Sequence, residues 1–170
     1  LSEVGLSEEE IKEISQIYIV ACGSAYHVGV AAQYVMEDLA RIPVRVELAS
    51  EFRYRNPILD PKGLVIIISQ SGETADSLAA LRESKKQGVK TLGIVNVIGS
   101  SIAREADNVF YTLAGPEIAV ATTKAYSTQL MASYILAIQF AKVKNTITEE
   151  QYENYIAELQ AIPEKIEKII

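Results

Sequence analysis

The sequence predicts a three-layer α/β fold, with a five-stranded parallel sheet flanked by helices. Short β-branched segments alternate along the chain with longer segments whose apolar residues recur at helical spacing. Strands that alternate with helices pair in parallel and are covered on both faces. Residues 64–68, Leu-Val-Ile-Ile-Ile, add an unbroken apolar run that is typical of a central strand buried on both sides.

The first half of the chain begins with a helix start signal and contains three of the strands. Ser7 followed by Glu10 predicts a capping box that opens a short helix ending at Ile14. The further predicted elements are a strand at 17–21, a helix at 25–40, a strand at 44–48 and the central strand at 64–68.

The second half contains the remaining strands and the longest helix. The predicted elements are a helix at 74–87, a strand at 90–95, a short helix at 100–105, a strand at 108–113 and a long helix at 123–142. Gly88 suits a helix C-terminal cap, and Thr148 with Gln151 predicts a second capping box that opens a final helix. Residues 130–140 are apolar nearly all round, which indicates either a central helix or a face covered by another domain or copy.

Composition favours a soluble protein of the cytoplasm. Hydrophobic residues make up 49% and charged residues 22% of the 170 residues, and no apolar run approaches the roughly 18–20 residues that cross a bilayer. The net charge of −6 argues against nucleic acid as a partner. Cys22, the single cysteine, cannot form an internal disulfide or a cysteine metal cluster. The acidic N-terminus is no signal peptide, and without an initiator Met we expect a segment of a longer protein.

The predicted strand order is the flavodoxin-like 2-1-3-4-5, which places a ligand site beyond strands one and three. Ligands of such sheets bind at the carboxyl ends of strands, where the strand order reverses. The loops that leave these two strands are residues 22–24 and 69–74, which are rich in glycine and hydroxyl side chains. We therefore expect the two loops to form one site.

Residues 69–74, Ser-Gln-Ser-Gly-Glu-Thr, have the composition of a phosphate cradle without lysine. Glycine allows close approach of the backbone, and the following helix offers unpaired N–H groups and the positive end of its dipole. The hydroxyls of Ser69, Ser71 and Thr74 and the Gln70 amide add donors. No Gly-Lys-Ser/Thr follows, so the loop is not a P-loop. The alternative is a hydroxyl-rich helix cap that binds no ligand.

Other reactive residue types are predicted to be structural. We expect Glu73 to point away from an anion, because like charges repel. His27 and Cys22 are interpreted as structural residues, and no metal site is expected. Arg53 and Arg55 are expected to be solvated or to contact a partner.

The six-residue loop resembles the phosphate loop of sugar isomerase (SIS) domains. Residues 49–55, Ala-Ser-Glu-Phe-Arg-Tyr-Arg, and residues 120–125, Val-Ala-Thr-Thr-Lys-Ala, are more specifically similar to the first SIS domain of the glutamine–fructose-6-phosphate aminotransferases, the glucosamine-6-phosphate synthases. The resemblance implies a bound phosphorylated hexose, fructose 6-phosphate or glucosamine 6-phosphate. Alternatives are a phosphosugar-sensing SIS module of a regulator and another SIS phosphosugar isomerase or deglycase.

The resemblance also implies which residues contact the ligand. The implied phosphate contacts are Ser69, Gln70, Ser71 and Thr74, and the implied sugar contacts are Gly23, Ser24, Val120, Ala121 and Thr122. The chain departs from the family pattern at Ala25 and at Thr122, where the family usually has serine. The first departure puts one phosphate contact in doubt, whereas the second keeps a hydroxyl.

By the same resemblance, the catalytic residues lie outside this chain, in a second SIS domain or a neighbouring subunit. A glutaminase domain would supply ammonia, and no cofactor is implied. We therefore expect a SIS domain over residues 16–145, preceded by a lead-in helix at 1–15 and followed by a C-terminal helix at 146–170 that leads toward the second SIS domain. We expect the fragment to form a homodimer and to bind substrate without catalysing a reaction.

Overall fold

The central sheet has five parallel strands in the order β2-β1-β3-β4-β5, which confirms the predicted topology. The structure is a computed structural model that describes residues 4–118 and 121–170. The strands are β1 (Gln16–Ala21), β2 (Val44–Leu48), β3 (Gly63–Ser69), β4 (Lys90–Val95) and β5 (Asn108–Tyr111). All seven residues of β3 are buried, as its unbroken apolar run predicts.

Eight helices are assigned within the described residues. They are α1 (Glu8–Glu13), α2 (Ser24–Ala40), α3 (Ala49–Tyr54), α4 (Ala75–Lys86), α5 (Ser101–Glu105), α6 (Lys124–Val143), α7 (Glu149–Gln160) and α8 (Ile162–Glu167). Both predicted capping boxes are present, at Ser7 and Thr148. Gly88, with φ +75°, donates its N–H to the Lys85 carbonyl at 2.9 Å and ends α4 as predicted. None of the described helices is long and apolar enough to cross a membrane.

Two hydrophobic cores lie on opposite faces of the sheet and account for the three layers. One core joins the sheet to α1, α2 and α6, and its largest fully buried side chains include Met36 and Phe140. The other joins the sheet to α3, α4 and α5 and includes Phe52 and Leu81. Helix α6 packs on both α2 and the sheet, so much of its apolar surface is used within this domain.

One observed helix was not predicted, and two predicted elements differ from the observed ones. Helix α3 was not predicted, because it begins directly after β2 without a side-chain cap; Phe52 anchors it in the core. The last helix is two helices, because Pro163 lies in the first turn of α8. Strand β5 ends at Tyr111 and not at Leu113, since Leu113 has φ +51° and the Asn96 side chain accepts the Ala114 N–H at 2.8 Å.

Candidate functional site

A cavity of about 160 Å³ lies where the carboxyl ends of β1 and β3 meet. Ala21 pairs with Ile68 in the parallel register, so the loops after both strands leave the sheet side by side. The cavity is lined by Cys22, Ser24, Ala25, Ile68, Ser69, Gln70, Ser71, Thr74, Thr122 and Gln129. The cavity therefore lies at the reversal of strand order, which is where ligands of such sheets bind.

Most of the predicted site residues reach this cavity. The six that line it are Ser24, Ser69, Gln70, Ser71, Thr74 and Thr122. Gly23 forms the turn into α2, with φ +57°, but it does not line the cavity, and neither does Ala121. Val120 lies outside the described residues. The geometry thus brings the two hydroxyl-rich loops and the residue before α6 together.

Hydrogen bonds within residues 69–74 fold the loop into a tight turn. Ser69 Oγ accepts the Gly72 N–H at 3.0 Å and lies 3.4 Å from Thr74 Oγ1. Ser71 Oγ accepts the Glu73 N–H at 3.2 Å. The hydroxyl groups of this loop are therefore held close together at the cavity, and each is a group that can donate a hydrogen bond to a ligand.

Gly72 is required by the space around it as well as by its backbone conformation. Its φ is +67°, and a Cβ at this position would lie 2.1 Å from Ser100 Oγ. Residues other than glycine rarely adopt this backbone conformation, and a contact at that distance would force a neighbouring atom to move. Glycine therefore lets the loop pack directly against the start of α5.

The first turn of α4 adds a favourable field for an anion. Thr74 is the N-cap residue, but its side chain makes no capping hydrogen bond in the described structure. Its hydroxyl lies instead 3.4 Å from that of Ser69, at the cavity. The helix N-terminus carries partial positive charge and unpaired N–H groups. Because Lys and Arg are absent from the lining within the described chain, neutral donors and this helix end are the groups at the cavity that could attract an anion.

Glu73 is held away from the cavity, as the sequence predicts. Its carboxylate accepts the Ser101 backbone N–H at 2.7 Å. Hydrogen bonds from the Ser101 side chain and N–H keep the pKa of the Glu73 carboxyl below its ordinary value. The acid therefore ties the loop to α5 and is absent from the cavity lining.

Gln129 was not predicted as a site residue. It lies on α6, is only 2% exposed, and lines the cavity. Its Oε1 has no hydrogen-bond partner among residues 4–118 and 121–170. The sequence gives no signal for this role, because Gln129 is followed by the apolar residues of α6 and its burial at the cavity depends on the fold.

The other polar residues singled out in the sequence are engaged elsewhere or exposed. Arg53 contacts Asp76 at 2.9 Å, and Arg55 pairs with Glu47. His27 is exposed on α2. Within the part of the chain that the structure describes, no group of three His, Cys, Asp or Glu side chains could hold a metal ion.

Comparison with known proteins agrees with this fold. The SIS domain profile matches residues 10–139. The chain is 58% identical, over all 170 residues, to a glutamine–fructose-6-phosphate aminotransferase (isomerizing) of Clostridium tetani, and it spans only 28% of that relative's length.

Solved structures give the same picture. The C-terminal domain of glucosamine-fructose-6-phosphate aminotransferase from Francisella tularensis is similar with a TM-score of 0.88 and 47% identity, covering 91% of this chain and 44% of that one. Glucosamine-6-phosphate deaminase from Thermotoga maritima is similar with a TM-score of 0.74 and 25% identity, covering 96% of this chain and 49% of that one. The chain belongs to the SIS domain family.

Proposed function

We propose that this chain is the sugar-phosphate-binding SIS domain of a glutamine–fructose-6-phosphate aminotransferase, with fructose 6-phosphate or glucosamine 6-phosphate as its ligand. The observation that carries the proposal is the cavity at the end of β3, where three hydroxyl groups, the Gln70 amide and the N-terminus of α4 face one space. Identity of 58% along the whole chain to a relative of that name favours this function over a regulator or another SIS enzyme.

The phosphate is bound by neutral donors. Ser69, Ser71 and Thr74 each have a hydroxyl hydrogen to donate, and an anion at the N-terminus of α4 is stabilised by the helix dipole. Ser24 and Thr122, on the other loops of the cavity, contact the sugar. This division places the phosphate on the loop after β3 and the sugar toward α2 and α6.

The chemical steps use residues that this chain does not bring to the site. Moving a proton between two sugar carbons needs a positioned acid or base, and among the described residues no Asp, Glu, His or Lys lines the cavity. The chain spans 28% of the first relative's length, so the remainder supplies these groups. A second SIS domain, a glutaminase domain and a second copy of the chain are the proposed partners, and the protein works in the cytoplasm.

The proposed domain boundaries divide the chain into three parts. Residues 16–145 form the SIS domain, 1–15 lead into it, and 146–170 lead toward the second SIS domain. Exposed apolar side chains on and after α8 support the last assignment, because Ile166 is 49% and Ile169 84% exposed.

Thermal unfolding in the presence of ligands tests the proposal. A ligand at a hundred times its dissociation constant adds about 2.7 kcal/mol to the free energy of unfolding. Fructose 6-phosphate and glucosamine 6-phosphate should raise Tm, and unphosphorylated fructose should not. A Tm increase with fructose alone would contradict phosphate recognition.

A double variant locates the binding site. Ser69→Ala with Ser71→Ala should remove the ligand-induced increase in Tm. The matched control is Ser84→Ala, which removes a buried serine of α4 whose hydroxyl donates to the Ala80 carbonyl at 2.8 Å, outside the cavity. The control should lower Tm without ligand yet keep the increase on adding ligand. A double variant that keeps the increase would place the ligand elsewhere.

A further inference from the structure

We propose that the carboxamide of Gln129 recognises a hydroxyl group of the bound sugar, which makes Gln129 a specificity-determining residue. This inference rests on the proposed function, because it assumes a sugar phosphate in the same cavity. It adds a contact from α6, on the opposite side of the cavity from the loop after β3.

The state of Gln129 Oε1 in the structure points to a ligand. A buried acceptor without a donor is costly, and native proteins contain few of them. Gln129 is 2% exposed and its Oε1 is unpaired among the described residues, although the side chain lines a cavity. Ser133, one turn further along α6, is also buried, but its hydroxyl donates to the backbone carbonyl of Gln129 at 2.9 Å. Of these two buried polar side chains, only that of Gln129, which lines the cavity, has an atom without a partner among the described residues.

The type of the unpaired atom indicates which part of the ligand it contacts. Oε1 accepts hydrogen bonds and therefore needs a donor. The doubly ionised phosphate group of a sugar phosphate offers only acceptors, so it suits the hydroxyls of Ser69, Ser71 and Thr74 but not Oε1. Sugar hydroxyls donate. Gln129 Oε1 thus adds a buried acceptor for a sugar hydroxyl to a cavity whose loop after β3 supplies donors for the phosphate.

Such a contact contributes to discrimination as well as to affinity. A site built to hydrogen-bond a substrate hydroxyl rejects an analogue that lacks it, because the buried polar group of the site is left unpaired. Gln129 should therefore favour sugar phosphates over inorganic phosphate, which fills only the donor side.

Calorimetric titration of this chain with fructose 6-phosphate and with inorganic phosphate tests the inference. Gln129→Met keeps the side-chain length but removes the acceptor. It should weaken fructose 6-phosphate binding about tenfold, as expected for one lost hydrogen bond of about 1.4 kcal/mol, and leave inorganic phosphate binding unchanged. The matched control is Gln139→Met on the same helix, which removes a contact to the Tyr152 hydroxyl at 2.6 Å and should change neither affinity.

If Gln129→Met weakens the binding of both ligands equally, the inference is overturned, because the Gln129 amide would then contact the phosphate group. Unchanged affinities would also overturn it, because a water molecule would then satisfy Oε1. If the wild-type chain does not bind fructose 6-phosphate, the proposed function itself fails. That result differs from one in which fructose 6-phosphate binds the wild type and Gln129→Met equally well, which contradicts only the role of Gln129.

Deoxy analogues of fructose 6-phosphate give a second test, the first part of which uses the wild-type chain alone. On the wild-type chain, removal of one particular hydroxyl should weaken binding about tenfold, and in Gln129→Met that same removal should have no further effect. If every singly deoxygenated sugar binds the wild-type chain as well as fructose 6-phosphate does, Gln129 recognises no hydroxyl.

Discussion

The Glu73 carboxylate accepts the backbone N–H of Ser101 at 2.7 Å, and this contact joins the hydroxyl-rich loop after β3 to the first turn of α5. Gly72, the preceding residue, packs against Ser100 in the same region, and its carbonyl accepts the Ile102 N–H at 3.0 Å. The loop is thus fixed by α5 on the side away from the cavity. Its hydroxyl groups are held in place before a ligand arrives, which reduces the entropy lost on binding.

Replacement of Glu73 tests whether this contact shapes the loop. Glu73→Ala leaves the Ser101 N–H without its acceptor, so Tm should fall by a few degrees and sugar-phosphate binding should weaken. Glu73→Gln keeps an acceptor oxygen and should retain most of both properties. Thermal unfolding with and without fructose 6-phosphate measures the difference, and equal values for the two variants would show that the contact does not matter.

Gly72→Ala should destabilise the protein more than an equivalent change at a glycine with free space. Gly72 and Gly99 have φ values of +67° and +73°, but only at Gly72 does an added Cβ meet other atoms, at 2.1 Å from Ser100 Oγ. The left-handed conformation costs about 1–2 kcal/mol at either position, and crowding adds about 1–3 kcal/mol at Gly72. Urea unfolding of Gly72→Ala and Gly99→Ala measures both.

A second change separates crowding from backbone strain at Gly72. Ser100→Gly removes the two atoms nearest to the added Cβ and leaves Val95 Cγ1 at 3.4 Å, so it should restore part of the stability lost in Gly72→Ala. Strictly additive losses in the double variant would mean that Ser100 is not the obstacle.

The sheet and the edge of the sheet at which the cavity lies could be predicted from the sequence, because the sequence patterns that indicate them are local. The β-branched run of β3 and the alternation of strands with helices fix a parallel sheet, and residues 69–74 follow the central strand directly. Helix α3 could not be predicted, since it has no side-chain cap and depends on burial of Phe52 in the core that joins the sheet to α3, α4 and α5. Its stability is a property of tertiary packing.

The contribution of Gln129 could not be predicted for a related reason. A glutamine is a good helix former whether it is exposed or buried, and only the assembled cavity shows that its side chain faces the loop after β3. The unpaired state of Oε1 depends on the residues that surround it in three dimensions. Spacing along α6 carries no such information.

Acid should weaken the anchor at the start of α6. Glu117 accepts the Thr123 N–H at 2.8 Å, the Thr123 hydroxyl at 2.9 Å and the Ala125 N–H at 3.3 Å. The bond from the Thr123 N–H is the main reason that the pKa of the Glu117 carboxyl lies below its ordinary value. A lowered folded-state pKa means that the stabilisation is complete above the unfolded value of about 4.3 and is lost as pH falls through the folded value.

Thermal unfolding of Glu117→Gln between pH 7 and pH 3, about the span in which a carboxyl titrates, measures this anchor. The variant should have a lower Tm than the wild type at neutral pH, and the difference should shrink as pH falls below about 4.3. Glu167→Gln, at the exposed end of α8, is the control and should show no such dependence. A difference that stays constant down to the lowest pH would contradict an ionised anchor.

Ala25→Ser should strengthen sugar-phosphate binding. Ala25 lies in the first turn of α2, is 7% exposed and lines the cavity, so an added hydroxyl on its Cβ would lie at the ligand side of the helix. Hydrogen bonds to charged groups contribute about 1.5–3 kcal/mol, which corresponds to at least a tenfold decrease in Kd. The side chain gains one small atom beside the cavity, and the variant should fold as the wild type does.

Ala32→Ser on the same helix is the matched control, because Ala32 is fully buried and does not line the cavity. It should lower Tm, since it buries a hydroxyl in the core, and it should leave Kd unchanged. Titration with inorganic phosphate then decides what the hydroxyl at position 25 contacts. An equal decrease in Kd for inorganic phosphate and fructose 6-phosphate would mean that the added hydroxyl contacts the phosphate group, as Ser69 and Thr74 are proposed to do. If neither ligand binds more tightly, the phosphate does not approach the N-terminus of α2, and the loop after β3 holds it alone.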